Sequence, residues 1–163
     1  MDIVTNPNPI LRKKALPVKN IGEEEQKLFL HMAKVMYEKN GIGLAANQIG
    51  IDKQMLVADV GGGLVKLANP VILKKSGRDV MEEGCLSVPD ISVKVKRAKK
   101  ITIEALDENG NRVKINADGL FAKVLQHEID HLCGILIMDH LGWYKKLFLK
   151  NKLHKSSLSY KKI

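Results

Sequence analysis

The segment His127-Glu128-Ile129-Asp130-His131 is the feature that most limits what this chain can fold into. Two histidines four residues apart lie about 40° apart around an α-helix, so both rings can reach one point from the same face. The flanking sequence predicts such a helix, because Asp118 can cap its start and Gly134 can end it. Four side chains share the predicted inner face of this helix: Leu120, Val124, His127 and His131.

The same five residues have the composition of a catalytic metal site. His127 and His131 would supply two imidazole ligands to one ion. Glu128 would then lie beside a bound water, where it can accept a proton and later return it to a leaving group. The pattern alone leaves an alternative open, in which two structural histidines flank a surface glutamate.

A catalytic metal site needs three protein ligands and one open position, so the two cysteines are the next candidates. Cys85 lies in the segment 82–89 (EEGCLSVP), where a glycine and a proline indicate an irregular strand edge that could present a thiolate and a backbone N–H together. Cys133 lies about 160° around the helix from His131, and we expect it to be a small buried residue that points away. The predicted ligands are Cys85, His127 and His131.

A third segment, residues 41–48 (GIGLAANQ), has no evident structural purpose in the sequence. Its glycines and alanines would allow the backbone to approach an extended partner closely. Gln48 could donate a hydrogen bond to an oxygen atom of that partner. A phosphate-binding loop is not expected here, because the segment lacks the lysine and the third glycine of that motif.

Length and hydrophobic patterning predict a single domain over residues 1-163, of the α+β class. An N-terminal helix is expected over residues 23–40, and a hairpin turn over residues 107–111 (DENGN). Strands are expected at 54–58, 69–74, 91–95, 101–106 and 112–115. Antiparallel or mixed β-sheets would pack around the central helix that bears the HExxH segment, and a C-terminal helical tail would follow from about Gly142 to Leu153.

The cellular compartment can also be predicted from composition. Two cysteines in 163 residues do not make a disulfide framework, which favours a reducing cytoplasm. The first residues lack the basic and apolar pattern of a secretory signal, and we find no apolar run that would span a bilayer. We therefore expect a cytoplasmic protein with no membrane partner.

Taken together, GIGLAANQ, EGCLS and HEIDH resemble, in this order and spacing, the three signature motifs of the peptide deformylases. The similarity runs from Asn6 through Asn69-Pro70 to Leu136 and fades after Asp139. This resemblance implies hydrolysis of the N-formyl group of N-formylmethionyl nascent polypeptides, with release of formate. It also implies one Fe2+ per chain, for which Zn2+, Ni2+ or Co2+ can substitute.

The resemblance implies a role for individual residues as well. Glu128 would be the general base and acid, and Gln48 with the backbone N–H of Leu86 would stabilise the oxyanion. The substrate would add a strand along Ile42 and Gly43 and near Gly84. Helical phase nominates Leu120 and Val124 for the apolar methionine pocket, and the resemblance adds Ile42 and Met81.

The net charge of +9 is unevenly distributed along the chain. The tail 140-163 carries seven lysines and no acidic residue, which leaves 27 − 7 = 20 basic against 18 acidic residues elsewhere. We therefore expect the basicity to belong to the tail. Trp143, Tyr144 and Phe148 lie among these lysines, so the tail could contact ribosomal RNA, although a solvated charged helix is an equal alternative. DNA is not an expected partner.

Two competing functions share part of this pattern. An HExxH-type zinc peptidase would use the same helix and general base, but it would not need a cysteine ligand. A binding module with a structural metal would require a fourth ligand and would leave Glu128 without a role. A salt bridge between Glu83 and Arg97 that supports the Cys85 loop is also plausible, with two solvated charges as the alternative.

Overall fold

Residues 2–142, which this computed structural model describes, contain seven β-strands and two α-helices. The helices are α1 (Glu23–Glu38) and α2 (Gly119–Leu132). The strands are β1 (Gly43–Ala45), β2 (Met55–Ala58), β3 (Val65–Ser76), β4 (Asp79–Cys85), β5 (Val88–Arg97), β6 (Lys100–Leu106) and β7 (Arg112–Asp118). Short 3-10 helices occur at Pro9–Arg12, Ala46–Ile49 and Ile137–His140.

Five strands form one sheet in the order β1-β2-β3-β6-β7, and β4 pairs with β5 in a separate two-stranded sheet. All strand pairs between residues 2 and 142 are antiparallel. The predicted α+β class is therefore confirmed, with antiparallel rather than mixed sheets. The turn at residues 107–111 joins β6 to β7 as predicted.

The large sheet separates the two helices. β2 is buried on both faces because its residues MLVA are all apolar. Met55 and Val57 belong to the core formed with α1, whereas Leu56 and Ala58 belong to the core formed with α2. The sheet thus covers one side of the HExxH helix.

The β4–β5 hairpin contacts α2 through polar side chains, among them Glu83 with His127 and Asp79 with Lys123. It is inserted between β3 and β6, and its apolar face packs in a separate core with Leu11, Leu136 and Ile137. The strand pattern does not predict β4, because the residues that face α2 include two acids, Asp79 and Glu83, in place of a hydrophobic series. Cys85 ends this strand, so the hairpin carries the thiol to the helix.

Helix ends differ in detail from the predictions. α1 stops at Glu38, and Asn40 rather than Gly41 takes the left-handed conformation there, with φ 54°. Asp118 occupies the N-cap position of α2, but its side chain makes no capping hydrogen bond. Gly134 does follow the end of α2 with φ 75°, as predicted.

Two further predictions concern the C-terminal tail and membranes. The predicted helix from Gly142 to Leu153 lies outside the described residues, apart from Gly142 itself. Between residues 2 and 142 no helix is both long and apolar enough to cross a membrane.

Candidate metal and catalytic site

Cys85, His127 and His131 meet between the end of β4 and the last turns of α2. The Sγ atom of Cys85 lies 3.1 Å from Nε2 of His131, which lies 3.2 Å from Nε2 of His127. One candidate ligand atom from each residue falls within 4.8 Å of the other two. The fold thus brings together one thiol and two imidazoles from segments about 40 residues apart in sequence.

Glu83 fixes the orientation of the His127 ring. The Nδ1 atom of His127 donates to Oε2 of Glu83 over 2.9 Å, which leaves the lone pair of Nε2 facing the other ligands. Arg97 holds both oxygens of Glu83 through Nε and Nη2, at 2.8 and 2.9 Å. Both side chains are 4% exposed, so the expected salt bridge is present and is buried.

The same network extends to the end of α2, which the sequence does not reveal. Arg97 also pairs with Asp130, and Oδ2 of Asp130 accepts a hydrogen bond from Nε2 of His140 over 2.8 Å. In the HEIDH segment the sequence patterns assign a role to Glu128 but none to Asp130. Asp130 follows His127 by three residues, which makes the two side chains neighbours on the helix surface. This spacing could have identified Asp130 as part of the network.

His131 is a neutral imidazole in this environment. Burial lowers its pKa well below the usual 6.5, and the neighbouring cations act in the same direction. A neutral ring is the form that binds a metal. Its backbone carbonyl accepts a hydrogen bond from the Asn47 amide, which ties this turn of α2 to the segment 46–49.

Glu128 is a second buried carboxyl group of the site, besides Glu83. It is 3% exposed, and Oε2 has no hydrogen-bond partner among the described residues. Burial raises its pKa to about 7, although the charges of His127 and Arg97 act in the opposite direction. A carboxyl group with a pKa near neutrality can both accept and release a proton.

Gln48 faces the site with its amide nitrogen. Its Oε1 accepts a hydrogen bond from the backbone N–H of Ala45 over 2.8 Å, so the NH2 group points towards Cys85, 3.8 Å from Sγ. The side chain is buried, at 2% exposure. The segment 41–48, whose purpose the sequence left open, forms β1 and a 3-10 helix that present this amide.

One cavity of about 510 Å³ adjoins these groups. All the predicted substrate residues line it: Ile42, Gly43, Met81, Gly84, Leu120 and Val124. Leu86, whose backbone N–H is predicted to stabilise the oxyanion, lines it as well. Val124 is buried, whereas Ile42 and Leu120 are each 45% exposed at its mouth. Lys123 also lines the cavity and pairs with Asp79, instead of extending its ammonium freely into water.

Cys133 has no part in this site. It lies at the C-cap of α2 and is exposed, so the expectation that it would be a buried residue is wrong. Gly134 ends the helix at the next position, which leaves Cys133 on the surface rather than against the core.

The donor set of Cys85, His127 and His131 fits a divalent transition metal. One thiolate and two imidazoles suit zinc, iron or nickel, and three protein ligands leave a coordination position open. Burial lowers the pKa of His127, but hydrogen bonds with Cys85 and Glu83 outweigh burial and raise that pKa to about 10, so a bound metal would displace a proton from this ring. The orientation of His127 by Glu83 is the carboxylate–histidine arrangement of metal sites. The geometry therefore fits a catalytic metal site better than a closed structural one.

Comparison with known proteins agrees with the motifs. The family model for polypeptide deformylases matches residues 1–146. The peptide deformylase of Syntrophomonas wolfei is 53% identical over 137 residues, which cover 84% of this chain and 90% of that protein. The peptide deformylase of Pelagibacter ubique is 43% identical over 159 residues, which cover 94% of this chain and 92% of that protein.

Solved structures show the same likeness. The crystal structure of a peptide deformylase from Legionella pneumophila matches with a TM-score of 0.88 and 40% identity, over 99% of this chain and 98% of that chain. One from Ehrlichia chaffeensis matches with a TM-score of 0.91 and 34% identity, over 98% and 97%. The chain therefore belongs to the polypeptide deformylase family, metal-dependent hydrolases that remove the N-formyl group from nascent polypeptides.

Proposed function

We propose that Cys85, His127 and His131 hold one Fe2+ ion, at which the N-formyl group of formylmethionyl peptides is hydrolysed to formate. The single observation that supports this assignment is the convergence of the three donor atoms beside buried Glu128. Zn2+, Ni2+ or Co2+ can take the same ligands, because all of them accept imidazole and thiolate donors.

Glu128 is the proton carrier of the proposed reaction. A bound divalent metal supplies Lewis acidity, which polarises the formyl carbonyl and eases deprotonation of the attacking water. Glu128 accepts a proton from the water that attacks the formyl carbon. It then delivers that proton to the leaving amine nitrogen as the C–N bond breaks, so formate and a free amine result. Its pKa of about 7 suits both steps.

Gln48 and the backbone N–H of Leu86 stabilise the oxyanion that forms at the formyl oxygen. The contact of Gln48 Oε1 with Ala45 N–H holds the amide nitrogen towards the site before substrate arrives. In comparable sites one such donor contributes about 2.7–4 kcal/mol to the transition state.

The substrate backbone lies between two free strand edges. In the sheet order β1 is terminal, and β4 has only β5 as a described neighbour, so each strand has one unpaired edge. Ile42 and Gly43 border the cavity on the β1 side, and Gly84 borders it on the β4 side. An extended peptide can therefore form backbone hydrogen bonds with β1 and β4. Such bonds do not depend on which side chains the peptide carries. Met81, Leu120 and Val124 receive the methionine side chain.

Formate release from formyl-Met-Ala tests this proposal. Wild-type protein is expected to release formate, and Glu128→Ala is expected to retain metal but lose at least about 100-fold in turnover. The unformylated peptide Met-Ala is the control substrate. Cleavage of its peptide bond, without formate release from the formylated one, would instead identify a zinc peptidase.

We further propose that residues 1-163 form a single cytoplasmic catalytic domain whose basic tail, 140-163, contacts the ribosome. Nascent chains originate at the ribosome, and seven lysines suit a phosphate backbone. Positive charge is also concentrated on the body of the protein, where Lys75, Arg78 and Lys96 line a cleft with no carboxylate among its described lining residues. The body of the protein nevertheless stays close to neutral overall, with 27 − 7 = 20 basic against 18 acidic residues.

Ribosome co-sedimentation at low salt tests the contact. Truncation after Gly142 is expected to reduce co-sedimentation. Charge reversal of Lys75, Arg78 and Lys96 in the full chain measures how much the protein outside the tail contributes to ribosome binding. Unchanged co-sedimentation of the truncated protein would exclude the tail as the contact.

A further inference from the structure

A second cleft, of about 770 Å³, lies apart from the catalytic cavity. It is found where the end of β3, the turn before β4, the end of β5 and the middle of α2 meet. Its described lining residues are Lys75, Ser76, Gly77, Arg78, Lys96, Arg97, Ala98 and Gln126. None of these residues lines the catalytic cavity, so a ligand in the cleft leaves the substrate site free.

The fold gathers the positive charge of this cleft from two segments of the chain. Lys75 and Arg78 precede Lys96 by about 20 residues in the sequence. Because β3 pairs with β6 and β4 pairs with β5, the turn after β3 lies beside the turn after β5. A Cβ atom at Gly77 would lie 3.1 Å from the Cβ atom of Lys99, so the two turns are in contact.

The three outer cations of the cleft are not neutralised by the protein. Within residues 2–142, none of Lys75, Arg78 and Lys96 lies within 4.0 Å of a carboxylate oxygen. Asp79, which follows Arg78 directly, is bound to Lys123 instead. All three cations are exposed. A cleft lined by charges of one sign attracts ligands of the opposite sign.

The inner wall of the cleft differs from its rim. Arg97 is 4% exposed there, and its guanidinium already binds the carboxylates of Glu83 and Asp130. Gln126 is buried, and its amide is bonded to the backbone of Ala98. An anionic ligand is therefore met by the exposed cations of the rim, while the groups behind them keep the partners that support the metal site.

The chemistry of the lining suits phosphate groups. Arg78 can bind a phosphate through two N–H groups, and the two lysines act as point charges. No aromatic side chain occurs among the described lining residues, so the cleft offers no surface on which a base could stack. Phosphate contacts of this kind hold a nucleic acid without reading its sequence.

We propose that Lys75, Arg78 and Lys96 bind the phosphate backbone of RNA at this cleft. The choice of RNA rests on the proposed function above, because nascent polypeptides are made beside ribosomal RNA. The contact is separate from that of the C-terminal tail. Since the cleft and the catalytic cavity share no lining residue, the protein can hold RNA and act on a peptide at the same time.

The test measures binding of a labelled single-stranded RNA of about 20 nucleotides to the metal-loaded full chain, at salt concentrations of about 50 to 200 mM. The cleft variant combines Lys75→Gln, Arg78→Gln and Lys96→Gln. Each lost phosphate contact makes the slope of log K against log salt concentration shallower by about 0.7, so we expect a change of about 2. At about 0.1 M salt this corresponds to binding about 100-fold weaker than that of wild type.

The matched control combines Lys13→Gln, Lys14→Gln and Lys19→Gln. These exposed lysines line neither the cleft nor the catalytic cavity, and the control changes the net charge by the same amount. Its slope is expected to equal that of wild type. The tail is intact in all three proteins, so it does not contribute to the difference between them.

Formate release and melting temperature are expected to be unchanged in the cleft variant, and the three single variants replace it if it does not fold. Equal slopes in the cleft variant and wild type would overturn the inference. Inorganic triphosphate that displaces the RNA at equal phosphate concentration would also overturn it, because the cleft would then be a site for a small ligand. Wild-type protein that binds RNA in this way but releases no formate would refute only the proposed function, so the two failures are distinguishable.

Discussion

Gly43 and Glu128 are so close that no side chain larger than hydrogen fits between them. A Cβ atom at position 43 would lie 2.5 Å from Oε1 of Glu128 and 2.8 Å from Cγ1 of Val124. Glycine in the segment 41–48 therefore has a second purpose besides a close approach of substrate. It leaves the space in which the carboxyl group of Glu128 lies.

Gly43→Ala should accordingly act through Glu128 rather than through the metal. Because the added methyl group must displace the carboxyl group, we expect turnover of formyl-Met-Ala to fall by at least about 100-fold with metal content unchanged. Gly62→Ala is the control, at a glycine outside the cavity lining where a Cβ would meet no atom within 4 Å. Full turnover in Gly43→Ala would contradict this account of the glycine.

Arg97→Ala should weaken both the fold and metal retention. Arg97 neutralises buried Glu83, so its removal leaves a carboxylate without its partner and costs about 3–5 kcal/mol in the free energy of unfolding. His127 then loses its fixed orientation, and metal affinity should fall about 10–100-fold. Chelator competition and urea unfolding measure the two effects.

Arg112→Ala is the control for that experiment. Its pair with Glu104 is exposed, with the Arg112 side chain 83% accessible, and is expected to contribute no more than about 1 kcal/mol. Equal metal affinity in wild type and Arg97→Ala would show that Glu83 orients His127 without help from the guanidinium.

Glu83 should make stability depend on acid pH. Burial alone would raise its pKa, but hydrogen bonds from His127 and Arg97 outweigh burial and lower it from 4.5 to about 2. A lowered pKa in the folded state means that the stabilisation is complete above pH 4.5 and is lost as the pH falls towards 2. The amount is on the order of 3 kcal/mol for a shift of this size.

Urea unfolding at pH 6 and pH 3 measures this loss, with Glu83→Gln as the comparison. The variant should be less stable at pH 6 and should lose less stability between the two values than wild type. An equal loss in both proteins would mean that other carboxyl groups dominate the acid response.

Exposure to air should inactivate the iron-loaded enzyme. Oxidation of the Cys85 thiolate removes a ligand, and a ferrous site is weaker than its nickel counterpart. We expect activity to fall in aerobic preparations and addition of nickel to restore it in protein whose thiol is still reduced. Undiminished turnover after air exposure and chelation would contradict the proposed ligand set.

The part of the site on α2 could be predicted from a short motif because its residues are close together in sequence. Helical geometry alone places His127 and His131 on one face, and Glu128 follows from its position between them. The hairpin turn at 107–111 and the end of α2 at Gly134 depend on residue types with strong backbone preferences, so these were predictable as well.

Other features could not be predicted because they depend on contacts between distant segments. β4 has acids on its inward face, and these become favourable only when Arg97, His127 and Lys123 lie opposite. The burial of Glu128 and the space at Gly43 likewise arise from packing of β1 on α2.

By itself the sequence determined which groups we propose to carry the chemistry, because the geometry of a helix with 3.6 residues per turn and the identities of its side chains require no tertiary contact. Only the tertiary structure decided how those groups are held. Burial and ion pairing depend on what lies across the cavity, and the strand that supplies Glu83, Cys85 and Asp79 meets α2 only after the chain has folded.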